Sequence, residues 1–218
     1  MGDRSVLVEV GDEISPRVNR RVRESCLLLK QNPIEGILDI VPAYRSLLII
    51  YDPLKLDLAM IKSRIEDLQK RTGGIEIPKP KTLEIPVVYG GEYGPDLVGV
   101  ARYHNRRVEE IIKLHTGTTY QVYMIGFMPG FPYMGELPEG LATPRRETPR
   151  TIIPQGSVAI AQRQTGIYPV ESPGGWQILG RTPLKLFDPH HSPPTLLAMG
   201  DLVEFVSIEE EEFKRWRQ

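Results

Sequence analysis

Cysteine is almost absent from this chain of 218 residues, in which Cys26 is the single one. One thiol cannot form an intramolecular disulfide or supply a cysteine-rich zinc site. An excess of positive charge is missing as well, because 27 Lys and Arg stand against 28 Asp and Glu. Nucleic-acid-binding proteins usually carry a basic excess or stripe, so this balance argues against a general nucleic-acid binder.

Long hydrophobic runs are also lacking. No stretch approaches the run of about 18 apolar residues that a membrane-spanning helix needs. The N-terminal sequence MGDRSVLVEVGD has no basic start followed by an apolar run of the kind found in secretion signals. We therefore expect a cytoplasmic protein that does not enter a membrane.

Familiar catalytic and metal-binding motifs are absent too. The sequence contains neither HExxH nor GxSxG. His104 and His115 stand about three helical turns apart, so one helix cannot bring them to the same ion. His190 and His191 are adjacent in a Pro-rich stretch, where neighbouring side chains rarely converge on one metal. We predict no metal site in this chain.

One stretch resembles a phosphate loop in spacing. GWQILGRT, residues 175–182, matches GxxxxGK[ST] except that Arg181 replaces the lysine. A phosphate loop needs a helix directly behind it, whereas Pro183 and the strand-like LKLF follow here. We interpret the stretch as two strands flanking a turn and expect no nucleotide site in it.

The first 80 residues alternate strand-like and helix-like runs in the order β-α-β-β-α-β, which predicts a ferredoxin-like α+β domain. The predicted strands are residues 5–10, 37–41, 46–51 and 75–77. Ser15 and Pro16 begin the first helix, whose apolar face carries Val18, Val22, Cys26 and Leu29. The second helix has Leu58, Ile61, Ile65 and Leu68 on one face and ends at Gly73 and Gly74.

Residues 81–208 form the second predicted domain, after a stiff connector that contains Pro78 and Pro80. Many short strand-like runs between Gly and Pro predict a barrel or a sandwich. The predicted strands are 83–89, 120–125, 158–162, 167–170, 176–179, 184–187 and 202–208, with helices at 95–103 and 108–115. Residues 209–218 are expected to be a polar, solvated tail.

The segment GFMPGFPYMGELPEGLATPRRETPR, residues 126–150, combines Gly and Pro with aromatic and arginine side chains. Aromatic walls with a few polar and cationic groups are typical of a small-molecule pocket or a peptide groove. We therefore predict a substrate- or partner-binding groove. Its residues are Phe127, Pro129, Phe131, Tyr133, Arg145, Arg150, Gln162, Thr165, Tyr168, Trp176 and Arg181. The alternative is that these loops simply close one end of a barrel.

Several consecutive blocks carry a family resemblance. GFMPGFPYMGEL, LATPRRETPRTIIPQGSVAIA, QTGIYPVESPGGWQILGRTPLKLFDP and PPTLLAMGDLVEF resemble the KipI/PxpB family of kinase inhibitors and 5-oxoprolinase components. They are also similar to allophanate hydrolase subunit 1 and to the carboxyltransferase region, subdomains C and D, of urea carboxylase. The resemblance implies a cyclophilin-like, mainly-β barrel for the second domain.

The same resemblance implies a subunit that is inactive alone within an ATP-dependent 5-oxoprolinase, a hydrolase that opens 5-oxo-L-proline to L-glutamate. The implied partners are a KipA/PxpC-like subunit and a LamB/YcsF (PxpA)-like subunit, with ATP acting at the level of the complex. Arg145, Arg150 or Arg181 would then hold a carboxylate or a developing phosphate charge. Two alternatives remain, which are an inhibitor of a sensor histidine kinase and a subunit of a urea or allophanate pathway.

Overall fold

The structure is a computed structural model that describes residues 3–70 and 77–216. The chain divides into two compact units, Met1–Lys79 and Pro80–Gln218, which are described separately. Among the described residues, no helix has both the length and the apolar character that crossing a membrane requires.

The first unit is a three-stranded antiparallel sheet with two helices. Its elements are β1 (Ser5–Glu9), α1 (Pro16–Gln31), β2 (Ile37–Pro42), β3 (Ser46–Tyr51) and α2 (Leu58–Gln69), and the strand order is β1-β3-β2. Helix α1 begins where the sequence predicts, because the Ser15 hydroxyl accepts the Val18 N–H at 3.3 Å. Its predicted apolar face is buried, with Val18, Val22, Cys26 and Leu29 each no more than 7% exposed.

The predicted fold class, a ferredoxin-like domain followed by a cyclophilin-like barrel, is wrong. The described part of the first unit has three strands, where the predicted domain requires four. The fourth strand was expected at residues 75–77, of which 75 and 76 lie outside the described residues. The predicted helix end at Gly73 and Gly74 lies outside them as well. Ile77 is not in a strand. Pro78 and Pro80 lack the N–H that a sheet ladder needs, so this stretch is poorly suited to extend the sheet.

The second unit contains a closed seven-stranded barrel in the order β11-β4-β12-β5-β6-β9-β8. Strands β4 and β12 are parallel, and the other neighbours are antiparallel. A separate two-stranded sheet pairs β10 with β7. The strands are β4 (Thr82–Tyr89), β5 (Thr119–Ile125), β6 (Pro132–Gly135), β7 (Arg150–Ile153), β8 (Ser157–Ala161), β9 (Gln164–Ile167), β10 (Ser172–Gly174), β11 (Gln177–Arg181) and β12 (Leu202–Ser207). The helices are α3 (Leu97–Tyr103), α4 (Val108–Thr116) and α5 (Glu210–Trp216).

Several strand predictions in this unit differ from the structure. The run 184–187 forms no strand, and only Phe187 makes an isolated bridge, to Thr195. The strand predicted at 167–170 lies earlier, at β9, and β6, β7 and β10 were not predicted because they are short and lie among Gly and Pro. The expected solvated tail forms α5, whose Phe213 is 2% exposed and packs against Tyr93.

The barrel core contains a row of hydrogen-bonded polar side chains, Tyr89, His115 and Thr165. The central one, His115 of α4, is 0% exposed. Thr165 donates to the Ala159 carbonyl at 3.2 Å, so its oxygen accepts the His115 Nε2–H at 3.0 Å. The His115 Nδ1 atom is then the acceptor for the Tyr89 hydroxyl at 2.7 Å. We assign this tautomer from the hydrogen-bond network. The ring also stacks on Phe205, with centroids 4.4 Å apart, so a neutral imidazole fits this apolar surrounding.

Burial lowers the pKa of His115 to about 3, because the charged imidazolium would lose its hydration inside the barrel. Below the unfolded pKa of about 6.5, the unfolded chain binds a proton at this residue that the folded chain does not bind. Stability is therefore lost as the pH falls, at about 1.4 kcal/mol per pH unit, between about pH 6 and pH 4. We expect His115→Gln to remove this pH dependence of the free energy of unfolding.

The measurement is urea unfolding at pH 7.5 and pH 5.0, followed by Trp176 fluorescence in a Trp216→Phe background so that the signal comes from one buried tryptophan of the barrel unit. The parent chain should lose about 2 kcal/mol more than His115→Gln between the two pH values. Equal losses in the two proteins would contradict a neutral, buried His115.

Candidate functional site

An aromatic cluster is centred on Phe131, just before β6. The Phe131 ring centroid lies 4.8 Å from that of Tyr133, 5.2 Å from Tyr168 and 5.5 Å from Trp176, in tilted or edge-to-face contacts. Phe131 and Tyr168 are each 1% exposed and Trp176 is 5% exposed. Tyr133 is half-buried, so the cluster consists of three buried rings and one ring that solvent partly reaches.

Two glycines leave the space that these rings occupy. A Cβ on Gly166 of β9 would lie 2.8 Å from the Phe131 ring and 3.0 Å from the Pro132 carbonyl oxygen. A Cβ on Gly174 of β10 would collide with the Tyr168 hydroxyl and lie 2.7 Å from Ile153. The glycines in QTGIYP and SPGGW therefore let the rings close together.

The turn that precedes Phe131 presents one aromatic side chain to solvent. Phe127 is 64% exposed and has a φ of 65°, a backbone conformation that costs free energy for a residue with a Cβ. Its ring contacts the edge of Phe131 at a centroid distance of 5.8 Å. The turn is closed by the Gly126 N–H, which donates to the Phe131 carbonyl at 3.0 Å.

A buried carboxylate, Asp96, lies beside this cluster and holds two arginines. Its Oδ1 atom accepts from Arg146 Nη1 at 2.9 Å and from Arg150 Nη2 at 2.8 Å. Its Oδ2 atom accepts from Arg150 Nη1 at 2.7 Å and from the Ile178 backbone N–H at 2.8 Å. Arg150 thus binds the carboxylate through both Nη atoms, in the bidentate geometry that strengthens an arginine–carboxylate pair.

The Asp96 side chain is 7% exposed, whereas the Arg146 and Arg150 side chains are 35% and 23% exposed. The hydrogen bonds to Asp96 raise the pKa of Arg150 above its usual range, so this arginine stays charged. Removing one partner of a fully buried ion pair costs about 3–5 kcal/mol. Because solvent reaches the two guanidinium groups and screens their charges, removing one partner here should cost less free energy than that range.

The loop between Thr143 and Arg150 is hydrogen-bonded to the segment around Trp176. The Gln177 side chain donates to the Pro144 carbonyl at 3.0 Å, and the Arg146 N–H donates to the Gly175 carbonyl at 2.8 Å. The residues on either side of Arg145 therefore bind the residues on either side of Trp176.

Burial raises the pKa of Tyr133 and raises the pKa of Tyr168 to about 12. The positive charge of Arg145 opposes both increases in pKa. Arg145 itself is exposed.

The remaining predicted site residues lie in different surroundings. Arg181 sits over the Tyr93 ring, with its Cζ atom 5.6 Å from the centroid. Thr165 is buried in the barrel core, where its hydroxyl is hydrogen-bonded to His115. Gln162 is exposed in the turn between β8 and β9, with a φ of 53°, and its N–H donates to the Thr143 carbonyl. Pro129 is exposed in the turn before Phe131.

The structure thus brings together Phe127, Phe131, Tyr133, Tyr168, Trp176 and Arg145, with Arg150 held next to them on Asp96. Asp96 was not predicted, and Arg146 was recognised only as one of the three arginines of TPRRETPR, a run whose one acidic residue is Glu147. That unbalanced charge was a signal that a carboxylate elsewhere in the chain approaches the loop.

The described residues contain no group of three or more His, Cys, Asp or Glu side chains that could hold a metal ion. Most of the phosphate-loop-like stretch is strand β11, and no described helix follows it before β12. This stretch therefore does not have the strand-loop-helix geometry of a phosphate loop.

Comparison with known proteins identifies relatives along the whole chain. The model of the family "carboxyltransferase domain, subdomain C and D" matches residues 1–197. The chain is 41% identical to the B subunit of 5-oxoprolinase from Bacillus subtilis (strain 168), over 100% of this chain and 95% of that one. It is 46% identical to the corresponding 5-oxoprolinase component of Haemophilus influenzae, over 79% of this chain and 80% of that one.

A solved structure, that of TTHA0988, superposes with a TM-score of 0.83 and is 38% identical. The match covers 94% of this chain but 40% of the TTHA0988 chain. In that protein, the segment similar to this chain is part of a much longer polypeptide.

The space left by Gly166 yields a test of the aromatic cluster. We expect Gly166→Ala to destabilise the barrel unit by about 1–3 kcal/mol, because the new methyl group forces the Phe131 ring or the backbone to move. Gly99→Ala is the matched control, since a Cβ there meets no atom within 4 Å. In helix α3 that substitution should be neutral or stabilise by up to about 1 kcal/mol.

Urea unfolding measures both stabilities, and near-ultraviolet circular dichroism reports the packing of the rings. A Gly166→Ala chain that matches the parent in stability and in its aromatic spectrum would disprove the close contact.

Proposed function

The chain belongs to the family of carboxyltransferase domains, subdomain C and D, and we propose that it is the B subunit of an ATP-dependent 5-oxoprolinase. The observation that carries this proposal is the similarity to the 5-oxoprolinase component of Bacillus subtilis over 100% of this chain and 95% of the relative. A match that includes both units supports a shared role for the whole chain, and not only a shared barrel.

The proposed reaction opens the lactam ring of 5-oxo-L-proline to give L-glutamate. A lactam is unreactive towards water at neutral pH. ATP would supply a phosphoryl group to the lactam oxygen, which makes the ring carbon susceptible to water, and ADP and phosphate are released. The role of this chain is to bind and orient the substrate, with Arg145 and the accessible edge of Tyr133 facing it.

The proposed complex includes further polypeptides, because the relatives from Bacillus subtilis and Haemophilus influenzae are named as B subunits of 5-oxoprolinase. We propose a KipA/PxpC-like subunit and a LamB/YcsF (PxpA)-like subunit as partners. The greater length of TTHA0988, of which this chain covers 40%, supports a barrel that works beside a further protein region, which there belongs to the same polypeptide.

We expect the purified chain alone to form no ADP in response to 5-oxo-L-proline. Co-expression with the two partner subunits should give 5-oxo-L-proline-dependent ADP formation together with L-glutamate. The assay couples ADP to NADH oxidation and measures glutamate by chromatography, and each control omits one of the three proteins.

Absence of both products from the three-subunit mixture, with the three proteins folded and co-purifying, would contradict the proposal. Full activity of the two partners without this chain would contradict the assigned role of this chain in the complex.

A further inference from the structure

Three neighbouring arginines in TPRRETPR have different environments. Arg146 and Arg150 donate to the carboxylate of Asp96, which accepts four hydrogen bonds in total. The single negative charge of Asp96 offsets one of their two positive charges, and the hydrogen bonds hold both guanidinium groups on this carboxylate. Arg145 directly precedes Arg146 in sequence and is exposed, so its guanidinium group is available to a ligand.

The backbone on each side of Arg145 is fixed. The Pro144 carbonyl accepts from the Gln177 side chain at 3.0 Å, and the Arg146 N–H donates to the Gly175 carbonyl at 2.8 Å. Asp96 tightens the same attachment, because it binds the Arg146 side chain and also the Ile178 N–H of β11. The backbone at Arg145 is thus held beside the Trp176 segment before any ligand arrives, which lowers the entropy cost of binding.

The segment that holds the backbone around Arg145 contains Trp176, which Tyr133 contacts. Tyr133 contacts both Phe131 and Trp176, at centroid distances of 4.8 and 5.8 Å, so its ring has few ways to move. A guanidinium group beside a rigid ring suits a small, flat, cyclic molecule with a carboxylate, since the carboxylate pairs with the arginine and the ring lies on the aromatic face.

From these contacts we infer that Asp96 is a positioning residue, which binds Arg146 and Arg150 and so leaves Arg145 as the arginine of the three that binds a ligand carboxylate beside Tyr133. The inference rests on the proposed function, because the cyclic carboxylate is then 5-oxo-L-proline. It assigns to this chain the recognition of the carboxylate, and it assigns to Asp96 an effect that acts only through Arg145.

The experiment measures equilibrium binding to the three-subunit complex without nucleotide. Two ligands are compared, 5-oxo-L-proline and 2-pyrrolidinone, which has the same lactam ring without the carboxylate. Isothermal calorimetry gives Kd for the first, and displacement of the first gives Kd for the second. The ratio of the two Kd values isolates the contribution of the carboxylate.

We expect Arg145→Gln to weaken binding of 5-oxo-L-proline by about 10- to 100-fold, as the loss of a charged hydrogen bond predicts, and to leave 2-pyrrolidinone unchanged. The matched control is Arg102→Gln, which removes an exposed arginine from α3 and should leave both Kd values unchanged.

Asp96→Asn tests the positioning role in a double-mutant cycle. In the parent background it should weaken 5-oxo-L-proline binding selectively, whereas in the Arg145→Gln background it should not change the ratio of the two Kd values further. Gln177→Ala removes the contact with Pro144 without touching the buried carboxylate, and it should follow the same pattern with a smaller effect. This second variant keeps the test decisive if Asp96→Asn does not fold.

Additive effects of Asp96→Asn or Gln177→Ala and Arg145→Gln, or equal losses for the two ligands, would overturn the positioning role. An unchanged ratio in Arg145→Gln, in a complex that still forms L-glutamate, would overturn the inference and leave the proposed function standing. Arg145-dependent binding without turnover would support the inference and contradict the proposed function. Absence of binding to the parent complex would overturn both.

Discussion

The bond between the Asp96 carboxylate and the arginines of the TPRRETPR loop is the interaction on which the arrangement of the site depends. Asp96 lies just before α3, yet it accepts hydrogen bonds from Arg146 and Arg150, which are 50 and 54 positions further along the chain. It also accepts one from the backbone of β11. One carboxylate therefore joins a helix, a loop and a barrel strand. The loop would otherwise be a mobile surface segment, because connecting loops without such contacts are among the more mobile parts of a protein.

The aromatic cluster packs next to the residues that Asp96 connects. Phe131, Tyr168 and Trp176 bury almost all of their surface, so they act first as packing residues. The rings form a packed cluster, with the half-buried Tyr133 at its edge and the exposed Arg145 on the attached loop, and the binding groove itself stays a prediction. A rigid surface of this kind loses little conformational entropy when a ligand binds.

Local pattern was sufficient to predict elements whose apolar residues repeat regularly, such as α1, α4 and the hairpin of β2 and β3. It failed for β6, β7 and β10, which are three or four residues long and lie among Pro and Gly, and it wrongly predicted a strand at 184–187. The pattern of LKLF suits a strand, but Leu186 fills the barrel core from outside any strand ladder. Strand pairing is a long-range property that four residues do not encode.

The site shows the same limit. Its aromatic residues and Arg145 were recognisable by composition, whereas Asp96 was not, because nothing near GPDL in sequence indicates which distant cations it meets. The central claim is that the substrate contacts this chain at the Arg145 loop and the Trp176 segment. Hydrogen exchange of the three-subunit complex, with and without 5-oxo-L-proline, tests it directly. We predict slower exchange in peptides that cover residues 143–150 and 174–178, and slower exchange confined to the partner subunits would contradict the account.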